Sequence, residues 1–170
     1  MVLHHYGENT WSNIKQNSGV ENDFFVSSEP YDDEITYKLA VAIADETQKP
    51  VGDILQDLGN WWILKTASVK YGYLLSSGGT SLSEFLMSLP VFHNRVMMLY
   101  PKLTPPEFKT TLISEKELHL EYISRRKGLT NFLIGLIGGL SELYNTPVEI
   151  VMLSENDAPG THQVFKITWN

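Results

Sequence analysis

The chain has 170 residues, 42% hydrophobic and 19% charged, which fits one ordinary globular domain and excludes disorder and collagen-like repeats. It contains no cysteine, so disulfides, thiolate zinc sites, cysteine-held iron–sulfur clusters, thiolate-ligated haem and cysteine nucleophiles are all ruled out, and metal chemistry must use histidine or carboxylates. Thirteen Lys and Arg against twenty Asp and Glu give a net charge of -7, and the basic residues cluster only at Arg125-Arg126-Lys127, which argues against nucleic-acid binding.

Hydrophobic spacing is helical up to about residue 100 and alternating after about 108, with one helical stretch set between two strand pairs. Helices are predicted at about 1–17, 33–47, 51–58, 59–76 and 82–99. Pro50 suits a helix start, Ser81 with Glu84 forms a capping-box signal, and Gly78-Gly79 breaks the chain before the last of these helices. The join is Pro101-Lys102-Leu103-Thr104-Pro105-Pro106. Lys109–Ser114 and Glu117–Ser124 read as one hairpin, and Val148–Leu153 and Gln163–Trp169 as a second with a longer polar loop. Between them Leu129–Tyr144 is apolar around most of its circumference, as a helix buried on more than one side would be. The expectation is a single α+β domain over 1–170, helical over about 1–100 and sheet with an inserted helix over about 108–170. No apolar run approaches the roughly 20 residues of a spanning helix. Met1-Val2-Leu3-His4-His5-Tyr6 lacks the basic and apolar regions of an export signal, so a cytoplasmic protein without membrane insertion is expected.

The five histidines differ in setting. His4 and His5 lie at the start of the first helix, where adjacent side chains point different ways; His119 shares the solvated strand face with Glu117 and Glu121; His162 falls in the polar loop. His93 instead shares a helix face with Phe85, Leu89, Phe92, Val96, Met97 and Tyr100, and so points into an apolar interior. It is either a core histidine satisfied by a backbone carbonyl or an axial ligand to a haem iron, and spacing alone does not decide. The strand Leu118–Ser124 adds weight to the second reading. Its alternation puts Tyr122 and Ser124 on one face, with Arg126 following at the same two-residue step. A phenol, a hydroxyl and a planar guanidinium suit an anion with two carboxylates, such as haem propionates. The competing reading is that Ser124 caps the next helix and Arg126 makes a surface ion pair.

Tyr122-Ile123-Ser124-Arg125-Arg126 resembles the Tyr-x-Ser-x-Arg signature of the haem NO/oxygen-binding (H-NOX) domains, relatives of the haem domain of the soluble guanylate cyclase β subunit. The run Phe85 to His93, then Leu99-Tyr100-Pro101 and Pro105-Pro106-Glu107-Phe108, is similar to the family's proximal helix and proline segment. Tyr6-Gly7-Glu8-Asn9-Thr10-Trp11 and Thr36-Tyr37-Lys38-Leu39 also resemble it. The resemblance implies an H-NOX fold with haem b (Fe protoporphyrin IX) between the helical part and the sheet. It implies His93 as proximal iron ligand, Tyr122, Ser124 and Arg126 as propionate clamp, and Pro106 as the proline that bends the macrocycle.

Aligned on Phe132-Leu133-Ile134-Gly135-Leu136, the family's distal tyrosine position is Phe132, and Trp62 looks like the second distal residue. Phenylalanine offers no hydrogen to bound O2, so the resemblance implies NO as ligand, CO as a tolerated one and little stable O2 complex. It implies a sensor, not an enzyme: NO weakens the bond to His93, and the change passes to a separate effector such as a histidine kinase or cyclic-nucleotide enzyme. Relative to the family the first helix starts late, and Pro90 lies three residues before His93, where it is expected to kink the helix. The alternatives are a haem enzyme, which needs a distal His/Arg pair not found beside Trp62 or Phe132, and a haem-free interaction domain or small-molecule carrier of the same fold.

Overall fold

The computed structural model describes residues 1–22, 25, 31–156 and 160–170. Helix α1 (Val2–Ser18) bends at Gly7, whose φ of 82° and ψ of 177° lie in a region that side chains disfavour. Helix α2 (Asp33–Thr47) is capped by Asp32, whose carboxylate accepts the Glu34 N–H at 2.9 Å. Helix α3 (Val51–Trp61) runs on through a π-helical turn, Trp62–Ala67, into the short α4 (Ser68–Lys70), and α5 (Gly72–Ser76) follows. The expected break between 58 and 59 is therefore absent. Gly59 sits inside the helix because α7 (Thr130–Leu143) presses on it: a Cβ there would stand 2.3 Å from the Phe132 carbonyl oxygen. The break falls instead at Tyr71, whose φ of -128° and ψ of 23° leave helical space.

Helix α6 (Leu82–Leu99) starts as expected, with Ser81 Oγ accepting from Glu84 N at 3.2 Å while Glu84 reaches back to the Thr80 N–H at 2.7 Å. Pro90 lies inside this helix without ending it. The second half is one antiparallel sheet of β1 (Glu107–Ser114), β2 (Glu117–Ser124), β3 (Val148–Asn156) and β4 (Thr161–Trp169), in the order β1-β2-β4-β3. The predicted helical half, the α+β class and the four strands are thus all present. The second hairpin pairs further than its apolar residues do, with Asn156 opposite His162, so His162 belongs to β4 and not to a loop. Backbone pairing needs no apolar side chain, and the outer positions stay solvated.

Two apolar clusters hold the fold. The larger packs α6 and α7 on the inner sheet face, around Phe85, Leu86, Leu118, Leu120, Ile137 and Phe165. The smaller joins α1, α2 and α3 around Ile14, Ala40, Ile43 and Ile54. Helix α7 serves both, with Leu133 and Ile137 in the first and Phe132 against the second, as its all-round apolar surface predicts. Among the described residues no helix is long and apolar enough to cross a membrane.

Candidate functional site

His93 is set by α6. Its Nδ1 lies 2.9 Å from the Leu89 carbonyl oxygen one turn back, so Nδ1 carries the proton and donates it there. Nε2 has no hydrogen-bond partner among the described residues and keeps its lone pair. Burial pushes the imidazole below its ordinary value of 6.5, the Leu89 hydrogen bond opposing this, so the ring is neutral at pH 7. Its neighbours are aromatic, with Phe108 at 4.9 Å and Phe92 at 5.6 Å between ring centroids. Both sequence readings of this residue meet here. The backbone carbonyl satisfies one nitrogen, and the other remains available to a metal.

Strand β2 places Tyr122 and Ser124 on the inner face, both buried, as its alternation predicts. Burial raises the Tyr122 phenol above its ordinary range, with Ser124 and Arg126 acting in the opposite sense, so it stays a protonated donor. Ser124 does not cap the next helix, which begins at Thr130; its Oγ accepts from the Arg126 N–H at 3.0 Å. The Arg126 carbonyl accepts from Thr161 Oγ1 at 3.1 Å, so the backbone of this arginine is pinned at both ends. Its guanidinium pairs through Nε with Asp33 Oδ1 of α2 at 3.1 Å, the surface ion pair of the competing reading. Tyr37, one turn along α2, donates to the Lys127 carbonyl.

Pro106, Ser124 and Arg126 line one cavity of about 610 Å³, together with Arg125, Met97 and Leu103. Trp62 lines a second, of about 240 Å³, with Phe92, Val96, Tyr100 and Leu103. The two share Leu103, and His93 stands on the helix that contributes to both. Phe132 is apart from them, packed against the smaller apolar cluster. The sequence does not single out Asp33 or Thr161, and Tyr37 stands out in it only as part of the Thr36–Leu39 resemblance. Thr161 sits opposite Ser124 in the β2–β4 ladder, a pairing that only the register reveals. His4 and His5, expected to diverge, both rest on Trp61 at 4.8 and 5.1 Å, because the bend at Gly7 turns that end of α1 onto α3. His119 and His162 pair with Glu117 and Glu121, each at 3.3 Å, on the outer sheet face.

A helical half joined to a four-stranded antiparallel sheet carries a neutral imidazole on α6 and a buried Tyr–Ser pair on β2 leading to an arginine; Ser124 and Arg126 line the larger cavity, while His93 and Tyr122 line neither. The profile of the haem-NO-binding family matches residues 1–152, and the chain belongs to that family of haem-based gas sensors. It is 31% identical over 167 residues to soluble guanylate cyclase gcy-31 of Caenorhabditis elegans, covering 97% of this chain and 24% of that protein. It is 24% identical over 170 residues to soluble guanylate cyclase 89Db of Drosophila melanogaster, covering 98% and 25%. The chain thus spans about a quarter of the length of these curated relatives. The part of the chain that the family profile matches, residues 1–152, is a haem-NO-binding sensor domain.

Among solved structures, an H-NOX from work on H-NOX activation superposes with a TM-score of 0.87 at 22% identity, covering 99% of this chain and 90% of that one. An oxygen-binding H-NOX domain related to soluble guanylate cyclases superposes with 0.82 at 22%, covering 99% and 89%. These likenesses show that the fold is the H-NOX fold.

Proposed function

We propose that this domain holds haem b and senses NO, with CO tolerated, signalling to a separate effector protein such as a histidine kinase or cyclic-nucleotide enzyme. The observation that carries this is His93, a neutral imidazole whose Nδ1 is committed to Leu89 and whose Nε2 is unpartnered. A lone imidazole cannot hold a metal by itself, whereas it is the right single ligand for an iron already held by four porphyrin nitrogens. When bound, haem would supply an iron able to take a gas ligand, and His93 would be the residue that holds it.

The chain's residues do the rest. The Leu89 carbonyl fixes the tautomer and orientation of His93. Tyr122 and Ser124 offer hydroxyls, and Arg126, paired here with Asp33, would supply a planar fork for a propionate. Pro106 gives the pocket wall a rigid ring. No cysteine is present to attach the macrocycle by thioether bonds, which supports a non-covalent haem b. The resemblance assigns Phe132 and Trp62 to the distal side: Phe132, which lines neither cavity, has no hydrogen to donate to a polarised O2, and Trp62 offers one indole N–H at its cavity. With no thiol for nitrosation, the metal is the route for NO.

The test is an absorption spectrum of the purified protein, reduced and then given each gas. A Soret band that moves with NO is expected; a colourless protein that gains no band with added haem refutes the proposal in favour of a haem-free interaction domain. His93→Gly should lose haem unless free imidazole is supplied. Retention without imidazole removes His93 from the ligand role.

A further inference from the structure

His93 and Tyr122 come from different elements, α6 and β2, and each packs on a third ring, that of Phe108 on β1. The centroid of Phe108 lies 4.9 Å from His93 at an interplanar angle of 44°, and 5.6 Å from Tyr122 at 40°. Phe108 is only 6% exposed and stands directly opposite Tyr122 in the β1–β2 register, two residues after Pro106. Its place in the pleat is therefore fixed by the sheet, not by the helix that carries the histidine.

The Leu89 hydrogen bond pins one corner of the imidazole, at Nδ1. It does not fix the plane: the ring can rock about that corner while the bond holds, and Nε2 travels with the rock. Contact with a flat, buried neighbour restricts this freedom, because a rocking imidazole runs into the ring of Phe108, which the sheet holds in place. We propose that Phe108 is a positioning residue of the haem site, holding the plane of His93 and tying that plane to Tyr122 of the propionate clamp. The inference rests on the proposed ligand role of His93. It gives β1 a part in the proximal side beyond Pro106: a movement of the imidazole meets a ring that the tyrosine also meets.

The measurement is the iron–histidine stretching band of the reduced, gas-free, haem-loaded protein, by resonance Raman spectroscopy. In haem-loaded Phe108→Leu the band should broaden and move to lower frequency. Phe108→Tyr, which keeps the ring, should restore the parent band. If Phe108→Leu does not fold, Phe108→Met, close in volume but without a plane, takes its place with the same expectation. A parent-like band in Phe108→Leu or Phe108→Met, or an equal shift in Phe108→Tyr, overturns the proposal. A parent protein with no iron–histidine band, or haem retained by His93→Gly without imidazole, is a different failure, that of the ligand assignment itself.

Discussion

Two alanine substitutions on α7, three residues apart, should move stability in opposite directions. A Cβ built on Gly135 falls 2.0 Å from the Gln56 carbonyl oxygen and 2.8 Å from its carbon, where ordinary contact begins at 3.4 Å. Those are backbone atoms of α3, which no rotamer change can move aside, so Gly135→Ala must drive α3 and α7 apart by more than an ångström. Overpacking of a core costs about 1–3 kcal/mol, and separating two helices along their contact belongs at or beyond the upper end. The helix-propensity gain of about 1 kcal/mol offsets part of this, leaving a net loss of about 2 kcal/mol. At Gly138 the same methyl meets only Asn60 Nδ2, at 4.0 Å, so Gly138→Ala should keep the full gain of about 1 kcal/mol. For a domain of this size the pair should differ in Tm by about 6–12 °C. Urea unfolding of the two variants and the parent, in the same haem state, measures this. Equal stabilities, or a Gly135→Ala that gains, would show that the α3–α7 contact is not close-packed as described.

The Arg126–Asp33 pair is 47% and 39% exposed, so a double-mutant cycle with Arg126→Gln and Asp33→Asn should give a coupling of no more than about 1 kcal/mol, shrinking with added salt. Thr161→Val keeps the shape but leaves the Arg126 carbonyl without its hydroxyl donor; a loss of about 1–2 kcal/mol is expected, with weaker haem retention as the second readout. For pH, burial holds the folded-state pKa of His93 below 6.5, so the unfolded chain takes up the proton first. That contribution is full above pH 6.5, falls as pH drops towards the folded value and levels off below it. His93→Gln should flatten this acid limb in denaturation midpoints of the haem-free protein. Phe132→Tyr should prolong an O2 complex, followed as spectral decay after mixing with oxygen; an unchanged lifetime would place Phe132 outside the distal pocket.

Where a side chain's partner lies on its own element, the sequence made it legible. The Ser81–Glu84 cap, the inward face of β2 and the two-sided burial of α7 each follow from a period or a spacing within one segment. The face bearing His93 was readable in the same way, and the Leu89 carbonyl that holds it is one turn away. Features set by contact between elements were not. The sequence suggests a helix boundary at Gly59 and nothing special at Gly135, yet both are where α3 and α7 approach too closely for a side chain. The π-helical turn at Trp62–Ala67 has no period of its own. Thr161 and Phe108 fall outside the strands that the sequence predicts, in the polar loop and the proline segment, and it is the register that sets one opposite Ser124 and the other opposite Tyr122.

The arrangement around Arg126 explains how one residue could report to several elements. Its N–H belongs to Ser124 of β2, its carbonyl to Thr161 of β4 and its guanidinium to Asp33 of α2, while Tyr37 of α2 holds the next carbonyl. The backbone is held on both sides and cannot follow the side chain, so the guanidinium is the only part free to change partner. Exchanging Asp33 for a cofactor carboxylate would therefore leave the sheet in place and loosen α2, which among the described residues is also tied here by the Tyr37 hydrogen bond to the Lys127 carbonyl. Any signal passing through the clamp should accordingly appear first as a change in how α2 docks, ahead of any change in the strands.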